Sequence, residues 1–212
     1  MNSKIKLAVG QLKKGSFVVL YDGDEREGEA DLIFHANFST PENIATLRKD
    51  AGGLICLATD KQTAKKIGLP FFTDLLDHNG LEKIRINKTA YGDKPAFSLP
   101  INHRGVYTGI PDNDRALTIK QFANLIRKAH GAMRNAFIQN FYSPGHVFLL
   151  IGRELQNRRG HTELSLELAK QAKLTPVMVL CEMLGTGKAL SKRKARAYAK
   201  KHNFVFLEGN EI

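Results

Sequence analysis

Apolar and polar positions along the chain fall into short blocks that switch between two periods. Residues 4–13 repeat apolar positions at helical spacing, and SFVVLY (16–21) follows as a compact run rich in β-branched and aromatic side chains. DLIFHA (31–36) reads as the next strand. Thr40-Pro41-Glu42 joins a capping hydroxyl, a first-turn proline and an early acid, and so predicts a helix to about Ala51. Gly52-Gly53 breaks it, LICLAT (54–59) predicts a buried strand, and a short amphipathic helix runs to Gly68. Residues 69–93 carry only a weak pattern. Beyond them AFSLPI (96–101) and VFLLI (147–151) predict strands, separated by a helix that a Thr118/Gln121 capping box opens and that extends through His130. Thr162 is expected to cap a further helix, PVMVLCEML (176–184) to form a buried strand, and Ser191 to open a last helix before FVFL (204–207). Strands separated by helices imply an α/β layered fold. No repeat or Pro/Gly-rich linker divides the chain, so one domain over residues 1–212 is expected.

Composition narrows the class. A 42% apolar content supports a sizeable core, yet runs such as Val147–Ile151 are too short to span a bilayer. Lysines interrupt the opening MNSKIKLAVGQLKKGSF, so no signal-peptide core is read there, and a soluble, cytoplasmic protein is expected. Cys56 and Cys181 stand alone without CxxC spacing, which points to reduced thiols rather than zinc or a disulfide framework. The net charge of +11 is uneven: residues 1–119 hold 16 basic side chains against 15 acidic, residues 120–212 hold 16 against 6. Anionic partners fit that bias, whether a phosphorylated metabolite, nucleic acid or the acidic loop of a second subunit.

Against this background DGDEREGEAD (22–31) places six carboxylates within ten residues. If the segment enters a strand, Glu27, Glu29 and Asp31 share one face and repel one another. Water, basic side chains or a divalent cation must then compensate them. Taken alone, a solvated acidic turn is the simpler reading. An EF-hand does not fit, since its fifth, sixth and twelfth positions would be Arg26, Glu27 and Ile33. A magnesium or manganese site using one or two acids plus substrate oxygens fits better.

Other candidates are scattered along the chain. NRRGHTE (157–163) sets Arg158, Arg159, Gly160, His161 and Thr162 where a helix begins, a place suited to phosphate; solvated arginines beside a plain cap are the alternative. Its H-x-E lacks the P-C-x-x-C partner of zinc deaminases. His146 follows a Pro-Gly turn at a strand entrance and could reach a cleft, or be a hydrogen-bonded structural residue. Glu182 ends the apolar run VMVLC, where a carboxylate is either a proton carrier with raised pKa or a buried ion-pair member. TGIPDNDRA (108–116) could bind phosphate through Thr108 and Arg115 or be ordinary turn chemistry. Seven basic residues in 188–202 read as a solvated helix face, with nucleic acid as the alternative ligand; the scarcity of aromatics there argues against single-strand stacking.

DEREGEADLIF, GGLICLAT, TGIPDNDRALTI, SPGHVFLL, RRGHTELSLELAKQA and VLCEM occur in an order that resembles 3,4-dihydroxy-2-butanone-4-phosphate synthases, in particular their archaeal branch. The resemblance covers nearly the whole chain. It implies a three-layer α/β/α sandwich around a mixed sheet, a homodimer with interfacial active sites, and conversion of D-ribulose 5-phosphate to 3,4-dihydroxy-2-butanone 4-phosphate and formate with magnesium. By motif, it implies Glu27 and His161 as metal ligands, Arg26 and Asp31 as substrate contacts, and Arg158–Thr162 as the substrate loop. It further implies His146 and Glu182 as catalytic, with Glu29, Asp22, Cys56 and Thr108 lining the site; Glu29 and Asp31 complete the expected proton-transfer set. GRELQNRRG, FLL and GTGKALS depart from the usual family pattern. Two rival classes are a different metal-dependent sugar-phosphate isomerase or aldolase and a nucleic-acid-binding protein.

Overall fold

The structure, a computed structural model, describes residues 2–128 and 131–212. Helix α1 (Ser3–Lys13) buries Ile5, Ala8, Val9 and Leu12 along one stripe, and strands β1 (Val18–Tyr21) and β2 (Ala30–His35) follow as an antiparallel pair. Helix α2 (Pro41–Thr46) is capped by the Thr40 hydroxyl, as its sequence predicts, and a π-helical turn (Leu47–Ala51) extends it to the expected end. Then come β3 (Cys56–Asp60), α3 (Lys61–Ile67), α4 (Phe72–His78), β4 (Phe97–His103), α5 (Asp112–Lys128) and α6 (Met133–Asn140). β5 (Phe141–Gly152), α7 (His161–Gln171), β6 (Val177–Glu182), α8 (Lys192–Lys201) and β7 (Val205–Glu208) complete the order.

Among the described residues seven strands join one mixed sheet, β4-β5-β3-β6-β2-β1-β7, in which β5/β3 and β1/β7 are parallel and the other pairs antiparallel. Its central strands are apolar on both faces because helices cover both. Leu32, Phe34, Leu57, Val179 and Cys181 pack with residues of α2, α3, α5, α6 and α8. Ile33, Cys56, Ala58, Met178 and Leu180 pack with α1 and α7. Period-two alternation therefore produces the three-layer α/β/α sandwich. The same alternation aims Asp31, Cys56 and Glu182 toward the α7 layer, since they share parity with Ile33, Ala58 and Leu180.

Four local expectations are corrected. Helix α5 starts at Asp112, not Thr118, with Asp112 and Asp114 in its first turn. Thr118 is buried inside it, where its hydroxyl accepts the N–H of His103 at 3.0 Å. The last two residues of the expected helix, 129 and 130, lie outside the described residues. Gly160, not Thr162, is the N-cap of α7, and Thr162 is buried in the first turn. No Pro-Gly turn precedes His146: Ser143-Pro144 is a cis peptide within β5, which runs through Gly145 with register shifts against β4. Finally, α4 and α6 occupy stretches where the sequence showed little or no helical signal.

Candidate active site

The acidic segment is the connection between β1 and β2, and only Asp31 of its six acids lies in a strand. Glu27 and Glu29 are therefore not brought beside Asp31 by strand periodicity. Asp22 sets the course of the loop that carries them. Its buried carboxylate accepts N–H groups from Gly23 (2.9 Å), Glu27 (3.0 Å) and Glu29 (3.2 Å), which curls residues 22–29 around one side chain. Gly28, at φ +66°, supplies the left-handed residue the curl requires.

His161, the first residue of α7, closes on this loop. Its Nε2 lies 3.1 Å from the Glu29 carbonyl, an oxygen that can only accept, so Nε2 carries the proton. Nδ1 is then the free lone pair, and it faces Glu27 Oε2 at 4.0 Å. Among the described residues, Asp22, Glu27 and His161 form one group whose ligand atoms lie within 4.8 Å of one another. Both Asp22 oxygens already hold loop amides, so Glu27 and His161 Nδ1 are the better donors and Asp22 their organiser.

Asp31 lies opposite Glu182 across the β2/β6 ladder. Its Oδ1 is buried without a hydrogen bond, 3.7 Å from His161 Nε2. Burial pushes the Asp31 carboxyl up to about 7; His161 opposes the rise, while Glu182, Glu27 and Asp22 add to it. Burial lowers the His161 pKa, but Asp31, Asp22 and Glu27 outweigh it and the net shift is upward. Glu29 is also raised, by burial and then by Glu27. Glu182 accepts the Leu54 N–H at 2.8 Å, and a Cβ on Gly53 would collide with it, so the glycine permits this close approach.

These groups open onto a cavity of about 330 Å³ whose lining combines Glu27, Asp31, Cys56, Arg158, His161, Thr162 and Glu182 with the apolar Leu54, Ile86, Phe97, Leu150 and Leu180. Buried Arg158 ion-pairs very closely with Glu163, whose other oxygen accepts the Arg153 N–H, and so is held rigidly at the wall. Gly160 leaves room for that guanidinium, which a Cβ would strike. Burial pushes the Cys56 thiol well up, so it lines the cavity as a neutral group. The lining sets three acids, Glu27, Asp31 and Glu182, beside Arg158 and His161. The orphaned Asp31 oxygen and the Glu27/His161 pair suit a divalent cation.

Other expected residues lie elsewhere. Arg26 and Glu29 line a neighbouring recess with Tyr91 rather than this cavity. Arg159 does not line the cavity and donates to the Gly209 carbonyl at 2.9 Å. Thr108 is exposed in a loop folded on Asp114, which accepts its N–H. His146 is exposed and outside the cavity, hydrogen-bonded to Asn102. It nonetheless occupies the same end of the sheet: it precedes Phe148 by two residues as Glu182 follows Leu180 by two, and both reference residues pair with Cys56. Two strand spacings separate them, roughly 10 Å. Thr89, Tyr91 and Glu163 were missed as contributors; the first two sit where no periodicity marks the sequence.

Fold and site together define an α/β enzyme with carboxylate and imidazole chemistry at a cleft suited to a divalent cation. The model of the 3,4-dihydroxy-2-butanone 4-phosphate synthase family matches residues 6–212. Synthases of that name from Methanosarcina mazei and Methanothermobacter thermautotrophicus are 43% and 40% identical, covering 100% and 98% of this chain and 90% and 93% of theirs. A solved synthase in complex with two magnesium ions superposes with a TM-score of 0.77 at 27% identity, over 97% of this chain and 93% of that one. The Candida albicans synthase gives 0.75 at 27% identity, with the same coverage. The chain belongs to the 3,4-dihydroxy-2-butanone 4-phosphate synthase family and is a lyase of riboflavin biosynthesis.

Proposed function

We propose that residues 1–212 act as one synthase domain that converts D-ribulose 5-phosphate to 3,4-dihydroxy-2-butanone 4-phosphate and formate, with magnesium, or manganese in its place, held by Glu27 and His161. The observation that carries this reading is the opposition of His161 Nδ1 and Glu27 Oε2 at 4.0 Å, beside the paired Asp31 and Glu182. A divalent cation bound there supplies Lewis-acid polarisation of the substrate's carbonyl and hydroxyl oxygens. The chain's own residues do the rest. Glu182, fixed by the Leu54 N–H, and Asp31, poised near neutrality, exchange protons at the reacting carbons through enediol formation, dehydration, skeletal shift and deformylation. Water lost in the dehydration is regained in formate release, so the atoms balance without a further reactant. Arg158 and Thr162 hold the phosphate, with Arg26 nearby, and the apolar wall excludes bulk water.

His146 and Thr108, both exposed and outside the cavity, act across a homodimer interface in this reading. Tyr107 (95% exposed) and Ile110 (52%) flank Thr108 and give such a contact apolar surface. The basic α8 is partly neutralised within the chain, Lys192 pairing with Asp24 and Glu208 and Arg196 with Glu208, which weakens the case for nucleic acid. Among the described residues no helix is long and apolar enough to cross a membrane, and both cysteines are free; the cytoplasm is the proposed compartment.

Incubation with ribulose 5-phosphate and magnesium tests the assignment, with formate as the readout. Formate should appear, stop with chelator, and be absent in Glu27→Gln while its circular dichroism stays native. A product without formate would assign the site to an isomerase or aldolase. Normal turnover in Glu27→Gln would remove the metal assignment.

A further inference from the structure

The turn Thr89–Asp93 reaches the arginines of the site without belonging to any motif. It closes on itself: the Thr89 N–H donates to the Asp93 carbonyl at 2.8 Å, and the Gly92 N–H to the Thr89 carbonyl at 2.9 Å. The Thr89 hydroxyl accepts the Asp93 N–H at 3.2 Å. This compact turn lays the Tyr91 ring against the Arg26 guanidinium, 5.6 Å from its centroid, and directs the Asp93 carboxylate between two cations. Asp93 Oδ2 accepts from Arg26 Nη2 at 2.6 Å and lies 3.4 Å from Arg158 Nε. One oxygen thus serves both arginines.

It does not saturate them. Nε of Arg26 and Nε of Arg158 are both buried without a hydrogen-bond partner, and Arg158 is only 8% exposed. Thr89 and Tyr91 line the same cavity as Arg158, so an incoming ligand meets this turn. A carboxylate brings one charge and two oxygens; a phosphate dianion brings twice the charge and three free oxygens, and pairs with guanidinium groups bidentately. Each arginine also has an anion of its own, Glu163 on Arg158 and Asp22 Oδ2 at 3.5 Å from Arg26 Nε; Asp93 is the one they share, and the one a phosphate outmatches by charge.

We propose that Asp93 is an internal competitor for the substrate's phosphate group: it occupies Arg26 and Arg158 in the ligand-free site, and a phosphate dianion binds by displacing it. The inference rests on the proposed function only in taking a phosphate ester as the ligand. Asp93 touches no reacting carbon; it is a specificity-determining residue. A neutral sugar cannot displace it, and a monoanion exchanges one carboxylate-like partner for another, so the contact selects dianions.

Asp93→Asn keeps the shape and removes the charge. The probe is inorganic phosphate, titrated calorimetrically into the full chain with magnesium at low ionic strength. Asp24→Asn is the control: it removes the same charge from a residue that pairs with Lys192 and accepts the Tyr21 hydroxyl, not with either arginine. The phosphate Kd is expected to fall by roughly fivefold or more in Asp93→Asn and by less than about twofold in Asp24→Asn. KM for ribulose 5-phosphate falls in Asp93→Asn, and changes more than kcat. Phosphate binding that is unchanged or weaker in Asp93→Asn, or an equal gain in Asp24→Asn, overturns the proposal. Absence of formate from the wild type would instead overturn the function reading, whichever way phosphate binding moved.

Discussion

Asp31 shows how one residue carries the cost of the site. It ends up buried, facing Glu182 across the sheet and near Glu27 and Asp22, so its carboxyl rises from 3.8 to about 7. An acid that holds its proton more tightly when folded stabilises the fold below its unfolded pKa, and that contribution is lost as pH rises toward the folded value. Between about pH 4 and 7 the metal-free protein should therefore lose stability through this residue. Asp31→Asn should stabilise the metal-free protein at pH 8 by on the order of 2–4 kcal/mol and give no gain at pH 4. Urea unfolding in chelator at the two pH values measures this, and equal differences at both would show that ionisation is not the cause. The same substitution should abolish formate release, since the amide cannot exchange the proton. The same acids raise the His161 pKa, so protonation of Nδ1 competes with ligation at higher pH than for a free imidazole, and magnesium binding should weaken as pH falls.

The β1–β2 loop behaves as an element with its own organising centre. Asp22 holds three amides of a loop that would otherwise splay Asp24, Glu25, Glu27 and Glu29 into water. Removing it leaves those N–H groups unsatisfied and Glu27 and Glu29 unplaced. Asp22→Ala should weaken magnesium affinity by about tenfold or more, as loss of a ligand's supporting partner commonly does. The rise in melting temperature on adding magnesium, compared between variant and wild type, reports it. Retained affinity would show that Glu27 finds its place without the curl. Asp24, by contrast, is largely exposed and serves Tyr21 and Lys192, so one acidic run contains an organiser, a ligand candidate and a surface residue.

At the scale of the molecule, His146 and Glu182 share a sheet end but not a cavity. If His146 serves the partner's site, His146→Ala and Glu182→Gln chains should each be inactive alone. Mixing them in equal amounts after dissociation should restore about a quarter of wild-type activity, because half the dimers are mixed and each has one intact site. If His146 acts within its own chain, every site in a mixed dimer carries one lesion and no activity returns. The charge asymmetry resolves at this scale too. Basic residues of α8 meet Asp24 of the β1–β2 loop and Glu208 of the following strand, so part of the excess is matched inside the chain.

Central strands and amphipathic helices were legible because each carries its own period: Leu32, Phe34, Leu57 and Val179 announce the sheet, and the stripe of α1 announces its buried face. Thr118 and Thr162 misled as caps because buried hydroxyls look like capping hydroxyls in sequence; one binds the His103 amide and the other lines the cavity. The motifs around Glu27, His161 and Glu182 pointed to the chemistry proposed above, since their residue types limit what they can bind. Periodicity thus determined the α/β class, and the ordered motifs, through their resemblance, pointed to the family and to most of the acidic and basic groups proposed for the site. Which groups meet was decided only by the tertiary structure: Asp22 as organiser, Arg159 turned to Gly209, Glu163 locking Arg158, and Asp93 lodged between two arginines. These contacts join positions up to 67 residues apart through loops whose course depends on the packed sheet, and no local pattern encodes them.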